Sequence, residues 1–481
     1  MDHPPEQGAG RARVNESQEW RGKRRALILT GLIVGLCAAF MAMPTPGGLS
    51  PAGQRVLAVG VLAIGLWCTE IIPSGVTAIV LVAALTLSGG VPGLRQALEG
   101  FAEPVAYFLI GVLTLGLAVL RSGLAERLAR FFLRRSGGRA RALYLQLLLA
   151  FPLLTFILPS ATTRTGILIH VYEQALDLSL VPRGDPLAKA VMLALNSINR
   201  LASTVLLTGG ITPMLAASLI GGISWSRWLV LMVVPYGVLL ALGAGLIYAL
   251  HRRGFNARFP LLPAKEPQPL SGKEIRTIVI TLGASLLWLT DAWHHWNPAL
   301  PAILALACLL TPGIGVLTWS DFERNFGWTN FFVIASSLSL AHALSNSGAS
   351  AWVADFIVRT ILPFTQQPLL VVAGLLLGAA PVRLLIPNIS GFLATTIPIA
   401  MSIGTSTGLN PVICGLAVMI AGDAVLYYPA QSASSLVVYE RGHLSAEEIF
   451  RFGLWMTLIA YLVVLFAALP YWAAVGLTLR P

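Results

Sequence analysis

Apolar runs that are long enough to cross a lipid bilayer recur along this chain, separated by short polar connections. Residues 26–43, 104–121 and 226–250 are three of them, and each is close to the roughly 20 apolar residues that a spanning helix needs. Only 11% of the residues are charged and 56% are hydrophobic, whereas a soluble domain is about 25% charged. We therefore predict an all-α polytopic membrane protein with about 11 transmembrane helices.

The basic residues lie mainly between the apolar runs. The formal net charge is +11, and Lys and Arg are enriched in the cytoplasmic connections of membrane proteins. This pattern predicts that the basic tail 1–25 and the linker 251–275 are cytoplasmic. We expect an integral protein of the bacterial inner (plasma) membrane, in contact with lipid rather than nucleic acid.

The four cysteines all lie in apolar runs. This position predicts small buried side chains rather than disulfides or metal ligands. We find no pair of zinc ligands at helical spacing. We therefore expect no metal site and no organic cofactor.

The second half of the chain repeats the first. Placing residue 101 on residue 326 aligns 34 residues without gaps, with nine identical pairs. The surface segment after the first aligned span is strongly basic, whereas its counterpart carries only Asp355 and Arg359, so the two should lie on opposite sides of the membrane. We predict a first repeat over 26–250 and a second, inverted repeat over 276–481, an architecture of secondary transporters.

Each repeat also contains two interrupted apolar units. Residues 142–178 and 367–405 are predicted to form re-entrant hairpins, the first with arms of about 15 residues, short for a full crossing. Residues 188–224 and 410–440 are predicted to form broken helices. Backbone leaves the helix at membrane depth only where protein or a water-filled cavity satisfies it, so these breaks indicate a site.

Polar residues at the interruptions are the candidates for substrate binding. At a hairpin tip, hydroxyls, free amides and a guanidinium form an anion site; the alternative is that Arg164 reaches the membrane surface. Related polar groups of the second hairpin are Arg383, Thr395 and Thr396. The predicted substrate-binding residues are Ser160, Thr162, Thr163, Arg164, Thr212, Asn388, Ser390 and Ser432.

A coupling ion is expected at the same interruptions, because carbonyls of an unwound helix bind cations in transporters. Asp423 could pair with an arginine, hold a cation or carry a proton. His170 could titrate or be a satisfied structural histidine, and Glu70 could be an interfacial anchor. The predicted coupling-ion residues are Ser160, Thr208, Gly209, Asn388, Asp423 and Gln431, with sodium or a proton as the ion.

Three segments resemble those of a known family: "LWCTEIIPSGVTAIV", "GFAEPVAYFLIGVLTLGLAVLRSGLAERLA" and "LYYPAQSASSLVVYERGHLSAEEIFRFGL". Together with the order of elements over residues 50–480, they are similar to the divalent anion/sodium symporters, a solute carrier family 13-like group within the ion transporter superfamily. The resemblance implies di- or tricarboxylate or sulfate as substrate, sodium coupling, a homodimer and elevator-type movement.

The tips differ from the Ser-Asn-Thr motif of that family. The first tip has Ser160-Ala161-Thr162, and the second has Pro387-Asn388-Ile389 or Asn388-Ile389-Ser390, depending on register. After the second break, Ser432-Ala433-Ser434-Ser435 stands where the family has Thr-Pro-Pro-Asn.

The sequence therefore predicts a secondary active transporter of a small carboxylate or sulfate-like anion, coupled to sodium or protons, and not an enzyme. One alternative is an intramembrane enzyme that uses Asp423, His170 and Arg164, although we find no paired catalytic carboxylates. Another is an anion channel, but broken helices in both halves favour alternating access over a fixed pore.

Overall fold

The computed structural model describes residues 28–69, 71–158, 160–178, 180–221, 223–256, 269–360 and 367–480. The predicted tail 1–25, Glu70 and residues 257–268 of the predicted linker lie outside these residues. The regular elements within them are helices, which confirms the prediction of an all-α fold.

In chain order the helices are α1 (Ile28–Ala42), α2 (Pro51–Thr69), α3 (Ser74–Leu87), α4 (Leu94–Ala97), α5 (Glu99–Ala102), α6 (Pro104–Ser122), α7 (Leu124–Arg134), α8 (Ala140–Ile157), α9 (Ala161–Leu178), α10 (Pro186–Leu193), α11 (Asn199–Thr204), α12 (Ile211–Ile220), α13 (Trp225–Leu250), α14 (Gly272–Leu289), α15 (Asp291–His294), α16 (Ala299–Leu310), α17 (Trp319–Asn325), α18 (Trp328–Asn346), α19 (Ala349–Thr360), α20 (Pro368–Leu385), α21 (Ile389–Ser406), α22 (Pro411–Asp423), α23 (Ala433–Tyr439), α24 (Ala446–Val463) and α25 (Leu469–Ala474).

Seven helical stretches of the described chain are long and apolar enough to cross a membrane: α2, α6, α8, α13, α20, α21 and the continuous stretch Ala446–Ala474. Five shorter apolar helices, among them α12 and α22, accompany them. These lengths agree with a polytopic membrane protein. The number of about 11 crossings stays a prediction, since length alone does not decide which of the shorter helices cross.

Both predicted hairpins are pairs of helices that meet at a short non-helical tip. The first tip lies between α8 and α9, and the second lies between α20 and α21. All four arms have 18 residues, so the predicted arm length of about 15 is wrong for the first hairpin. Glu173 and Gln174 are good helix formers and keep α9 helical as far as Leu178. Arms of this length are long enough to cross the membrane, so the length of the arms does not support a re-entrant hairpin.

The two predicted broken helices are interrupted where the sequence indicated. In the first, a π-helical turn (Ala194–Ile198) precedes α11, and a 3₁₀ turn (Leu207–Gly209) precedes α12. In the second, a 3₁₀ turn (Pro429–Gln431) separates α22 from α23. The series α6–α13 and α18–α25 thus follow the same order, whereas their opposite sidedness stays a prediction.

We describe the chain as two groups of helices, defined by their places in the two repeats. The first, here called the inner bundle, consists of the hairpins and broken helices with their following spans, α8–α13 and α20–α25. The second, the frame, consists of α2–α7 and α14–α19. The groups meet chiefly where α21 packs on α18 and α19, and where α7 packs on α8 and α9. Within the frame, a Cβ on Gly111 of α6 would lie 2.3 Å from the carbonyl oxygen of Ala302 of α16, so glycine permits this close packing.

The cysteines follow the prediction only in part. All four thiols are free, and Cys37 and Cys414 are buried, but Cys68 is half-buried and Cys308 is exposed on α16. Burial within the protein was the wrong expectation for Cys308, because an apolar side chain of a membrane protein can face lipid instead of the protein core.

Candidate functional site

A cavity of about 630 Å³ lies between the inner bundle and the frame. Both hairpin tips and both helix breaks open into it, together with residues of α6 and α18. Of the predicted site residues, Ser160, Thr162, Thr163, Thr212, Asn388, Ser390, Gln431 and Ser432 line it. Four polar interruptions that are distant in sequence therefore meet at one place.

Three helices begin at this cavity: α9, α12 and α21. The first N–H groups of a helix have no partner within it, and the helix dipole adds partial positive charge there. The Ser160 hydroxyl accepts a hydrogen bond from the amide of Thr163 at 3.2 Å. Asn388 Oδ1 accepts one from the amide of Ser390 at 2.9 Å. The other amides of these first turns are suited to an anion.

The two caps also settle the register of the second tip. Ser160 and Asn388 each follow a proline and immediately precede the second arm of their hairpin. Ser160-Ala161-Thr162 therefore corresponds to Asn388-Ile389-Ser390, and the alternative beginning at Pro387 is excluded.

Arginines supply the formal charge of the cavity. Arg121, Arg200 and Arg383 line it, and its described lining contains no aspartate or glutamate. The Arg200 side chain is 12% exposed, and within the described chain its Nε and Nη2 have no hydrogen-bond partner. An unsatisfied buried guanidinium beside a cavity is a donor suited to a ligand.

Asp423 does not line the cavity but holds Arg200 in place. Asp423 is fully buried, and its Oδ1 accepts from Arg200 Nη1 at 2.8 Å. Its Oδ2 accepts from the hydroxyls of Thr204 at 2.7 Å and Tyr236 at 3.0 Å. Of the three roles left open by the sequence, pairing with an arginine is the one seen in this geometry. The pair joins the first broken helix to the second.

Arg164 does not line the cavity, contrary to its prediction as a substrate ligand. Its side chain is fully buried behind the first tip. Nε donates to Asn199 Oδ1 at 2.9 Å and Nη2 donates to the Asn199 carbonyl at 3.0 Å. The guanidinium also donates to the carbonyl of Leu158 and the hydroxyl of Ser203. These protein acceptors, of which Asn199 and Ser203 lie on another helix, hold the Arg164 side chain away from the cavity and make it a brace for the tip. The alternative of an interfacial arginine is excluded by the same burial.

Arg383 braces the second tip in a similar way. Its Nη1 donates to the carbonyls of Ile386 and Pro387, both at 2.7 Å, and its Nε donates to the carbonyl of Gly422 at 3.0 Å. Gln431 connects the same region, since its Nε2 donates to the Arg383 carbonyl at 2.8 Å. Arg383 is 1% exposed.

Two predicted residues of the first break lie behind the cavity lining. Thr208 is buried, and its hydroxyl accepts from Trp225 Nε1 at 3.4 Å. A Cβ on Gly209 would lie 1.8 Å from the Ser203 carbonyl oxygen, so only glycine allows the chain to fold back here. The neighbouring Gly210 does line the cavity.

Several other candidates lie away from the cavity. Thr395 and Thr396 hydrogen-bond to carbonyls within α21, and His170 is exposed on α9. His170, Arg164 and Asp423 therefore do not form the catalytic cluster of the enzyme alternative. Glu70 lies outside the described residues.

Arg200 is absent from the residues predicted from the sequence, although a signal for it was present. Arg200 lies inside the apolar stretch 188–224, and an ionisable residue within a spanning segment is a candidate functional residue in its own right. Its neighbour in the Asp423 cluster, Tyr236, lies in an unbroken span and had no such signal.

The profile of one protein family, described as the sodium:sulfate symporter transmembrane region, matches residues 24–478. The chain belongs to the sodium:sulfate symporter family. The resemblance inferred from the sequence is thereby confirmed, as is the prediction of a transporter rather than an enzyme.

Relatives cover most of the chain at modest identity. A Cupriavidus necator protein described only as a membrane protein is 25% identical over 93% of both chains. The citrate/succinate antiporter of Escherichia coli (strain K12) is 24% identical over 85% of this chain and 91% of its own. The L-tartrate/succinate antiporter of Shigella dysenteriae serotype 1 is 23% identical over 80% of this chain and 81% of its own.

Solved structures also match, and one of them is a transporter. The YdaH transporter of Alcanivorax borkumensis has a TM-score of 0.49 and 15% sequence identity, over 96% of this chain and 100% of that chain.

Proposed function

We propose that this family member is a secondary active transporter of a small carboxylate or sulfate-like anion, bound in the cavity between the hairpin tips. The observation that carries the proposal is the charge of that cavity, whose described lining has three arginines and no carboxylate. Its volume of about 630 Å³ is in the usual range for small-molecule sites. The names of the citrate/succinate and tartrate/succinate relatives are consistent with a carboxylate.

Arg200 is the principal anion ligand in this proposal. Its free Nε and Nη2 donate to the anion, while Asp423 fixes the orientation of the guanidinium through Nη1. Hydroxyls of Thr162, Thr212 and Ser432 and the amides at the start of α9 and α21 complete the site. This division of roles assigns charge recognition to one side chain and shape recognition to the tips.

Transport proceeds by an elevator movement of the inner bundle against the frame. The position of the cavity supports this, because its lining includes tip residues of the inner bundle and residues such as Leu117 and Asn330 of the frame. Sliding of one group past the other would carry a bound anion while the tips stay closed around it.

Coupling uses sodium or protons. Ser160, Asn388 and Gln431 supply oxygen atoms at the cavity, and Thr208 and Gly209 lie just behind it. Asp423 is the acid of the described site region that is paired with the proposed anion ligand Arg200, so it is the candidate that links the coupling ion to the anion. We further propose a homodimer in the bacterial inner membrane with a cytoplasmic N-terminus; the mass of the detergent-solubilised particle tests the first point.

The proposal is tested by thermal unfolding of the purified full chain against sulfate, succinate, citrate and tartrate, with sodium or choline, at about pH 5.5 and about pH 7.5. A bound anion raises the apparent Tm by mass action, and the shift should be lost in Arg200→Gln. Proteoliposomes loaded with the stabilising anion should then exchange it for external labelled anion. If no anion stabilises the protein and none is exchanged under either gradient, the proposal is wrong.

A further inference from the structure

Arg121 is a cavity arginine that belongs to the frame. It lies in the last turn of α6, whereas Arg200 and Arg383 lie on α11 and α20 of the inner bundle. Arg383 is buried and holds carbonyl oxygens of the second tip. Arg121 is exposed, and in contrast to Arg200 it forms no ion pair within the described residues. Its charge is therefore available at the surface of the cavity.

The cavity opens at the end of α6 where Arg121 lies. Leu117, one turn earlier on the same lining face, is only 9% exposed. Leu120 and Arg121, which end the lining of α6, are both exposed. The exposed lining residues of the other frame helices lie where α17 passes into α18: Asn325, Gly327 and Thr329. Arg121 is thus a residue of the mouth of the cavity.

The mouth lies on the basic side of the molecule. The helix that follows Arg121, α7, is tied to the start of α14, because Arg127 Nε donates to Glu274 Oε1 at 2.7 Å. The linker that leads into α14 is predicted to be cytoplasmic from its basic residues. The mouth of the cavity is therefore predicted to face the cytoplasm.

The opposite end of α6 carries the opposite charge. The helix has 19 residues, so its ends lie roughly 28 Å apart. Glu103 immediately precedes it and lines a smaller cavity of about 350 Å³ between α6 and α12. The Glu103 carboxylate lies 3.6 Å from Nε2 of His342. A negative charge at this end repels an anion, so the two ends of this frame helix differ in what they offer it.

An acid near the mouth, Asp321 on α17, is engaged by its own helix. Hydrogen bonds from the side chain and backbone of Thr318, with smaller contributions from the charges of Arg121 and Lys273, lower the pKa of Asp321. Its Oδ2 accepts from the Thr318 hydroxyl at 2.7 Å in the cap of α17. The charge of Arg121 therefore acts across the mouth without being held by this carboxylate.

We propose that Arg121 is an anion-binding residue that acts only while the cavity is open to the cytoplasm. This inference deepens the proposed function and rests on it. Arg121 attracts the anion to the mouth and adds to its affinity there, since a charge at a cleft raises the rate of association with an oppositely charged ligand. When the inner bundle moves, Arg200 travels with the anion and Arg121 stays with the frame. The anion is consequently bound more tightly at the cytoplasmic face than at the outer face.

The test is anion exchange in inside-out and right-side-out vesicles from cells that express the full chain. The half-saturating concentration is measured at each face, with whichever of labelled sulfate, succinate, citrate and tartrate is exchanged fastest. Arg121→Gln and Arg121→Lys are compared with wild type. Arg324→Gln is the matched control, because Arg324 is also exposed, at the end of α17, but does not line the cavity.

We expect Arg121→Gln to raise the half-saturating concentration at the cytoplasmic face about threefold or more at low salt and to leave the outer face unchanged. The difference should shrink in about 0.5 M salt, because salt screens exposed charges. Arg121→Lys should restore most of the affinity, and Arg324→Gln should match wild type. An equal rise at both faces, a rise that salt does not reduce, or an equal effect of Arg324→Gln would overturn the proposal.

Two further measurements keep the result interpretable. If Arg121→Gln does not fold, wild type still tests the idea: its half-saturating concentration should rise with salt more steeply at the cytoplasmic face than at the outer face, and equal slopes would overturn the proposal. Arg200→Gln separates this inference from the proposed function. Exchange that is lost in Arg200→Gln and unchanged at both faces in Arg121→Gln would refute the role of Arg121 alone, whereas wild type that neither binds nor exchanges any anion would refute both.

Discussion

Removal of Arg200 should destabilise the fold far more than removal of its partner Asp423. The two side chains meet at 2.8 Å, but Asp423 is 0% exposed and Arg200 is 12% exposed at the edge of the cavity. Arg200→Met leaves a buried carboxylate with only the hydroxyls of Thr204 and Tyr236. Breaking a buried pair in this way costs about 3–5 kcal/mol, because an uncompensated charge stays buried.

The reverse change leaves the charge where water can reach it. In Asp423→Asn the amide still bonds to Thr204 and Tyr236, and the freed Arg200 can turn towards the cavity. We expect a cost of about 1–3 kcal/mol, that of a lost buried hydrogen bond. The double variant should recover much of the loss caused by Arg200→Met, because no charge is then left without a partner.

The free energy of unfolding can be measured by titrating the protein in mild detergent with sodium dodecyl sulfate and following the far-ultraviolet circular dichroism. Arg451→Met is a matched control, because Arg451 pairs with Glu447 in an exposed i,i+4 bridge whose loss costs about 0.5 kcal/mol or less. Equal losses for Arg200→Met and Asp423→Asn, or a double variant no better than Arg200→Met, would refute the reasoning.

Three other predictions rest on single contacts. Gly209→Ala should abolish folded protein, since its Cβ would lie 1.8 Å from the Ser203 carbonyl oxygen. The control is Gly166→Ala on α9, whose Cβ meets nothing within 4 Å, and this variant should melt at or slightly above the wild-type Tm. Equal yields of the two variants in size-exclusion chromatography would contradict this. Asn388→Asp should leave the cap of α21 and the Tm unchanged, because aspartate also caps helices. The added negative charge should repel the anion and weaken its binding at least tenfold. Unchanged affinity in the anion titration would place the anion elsewhere. Hydrogen bonds from the backbone and side chain of Ser271, and then from Arg127, lower the pKa of Glu274. The ionised Glu274 therefore stabilises the fold fully above its unfolded pKa of about 4.3, and this stabilisation is lost as pH falls through the lowered folded pKa. A Tm difference between wild type and Glu274→Gln that does not shrink on acidification would contradict this.

The sequence predicted most of the uncharged residues that line the cavity, but it predicted poorly where the charged side chains lie. Ser160, Asn388 and Thr212 could be found because each interrupts an apolar run, and only a cavity or protein partner permits such an interruption. Arg164 was assigned to the substrate for the same reason. Its side chain is long enough to reach either the cavity or the space behind the tip, and the acceptors that hold it belong to Asn199 and Ser203, on another helix.

By itself, the sequence determined that the chain is helical, lies in a membrane, consists of two related halves and is interrupted four times, because apolar length and periodicity report directly on contact with lipid. The tertiary structure decided that the guanidinium of Arg200, and not that of Arg164, faces the cavity. A π-helical turn at Ala194–Ile198 adds a residue to one turn and changes the angular position of the residues after it, including Arg200. The pairing of Arg200 with Asp423, 223 residues away, and the oxygen clusters that hold Arg164 and Arg383 arise only when helices from both halves come together.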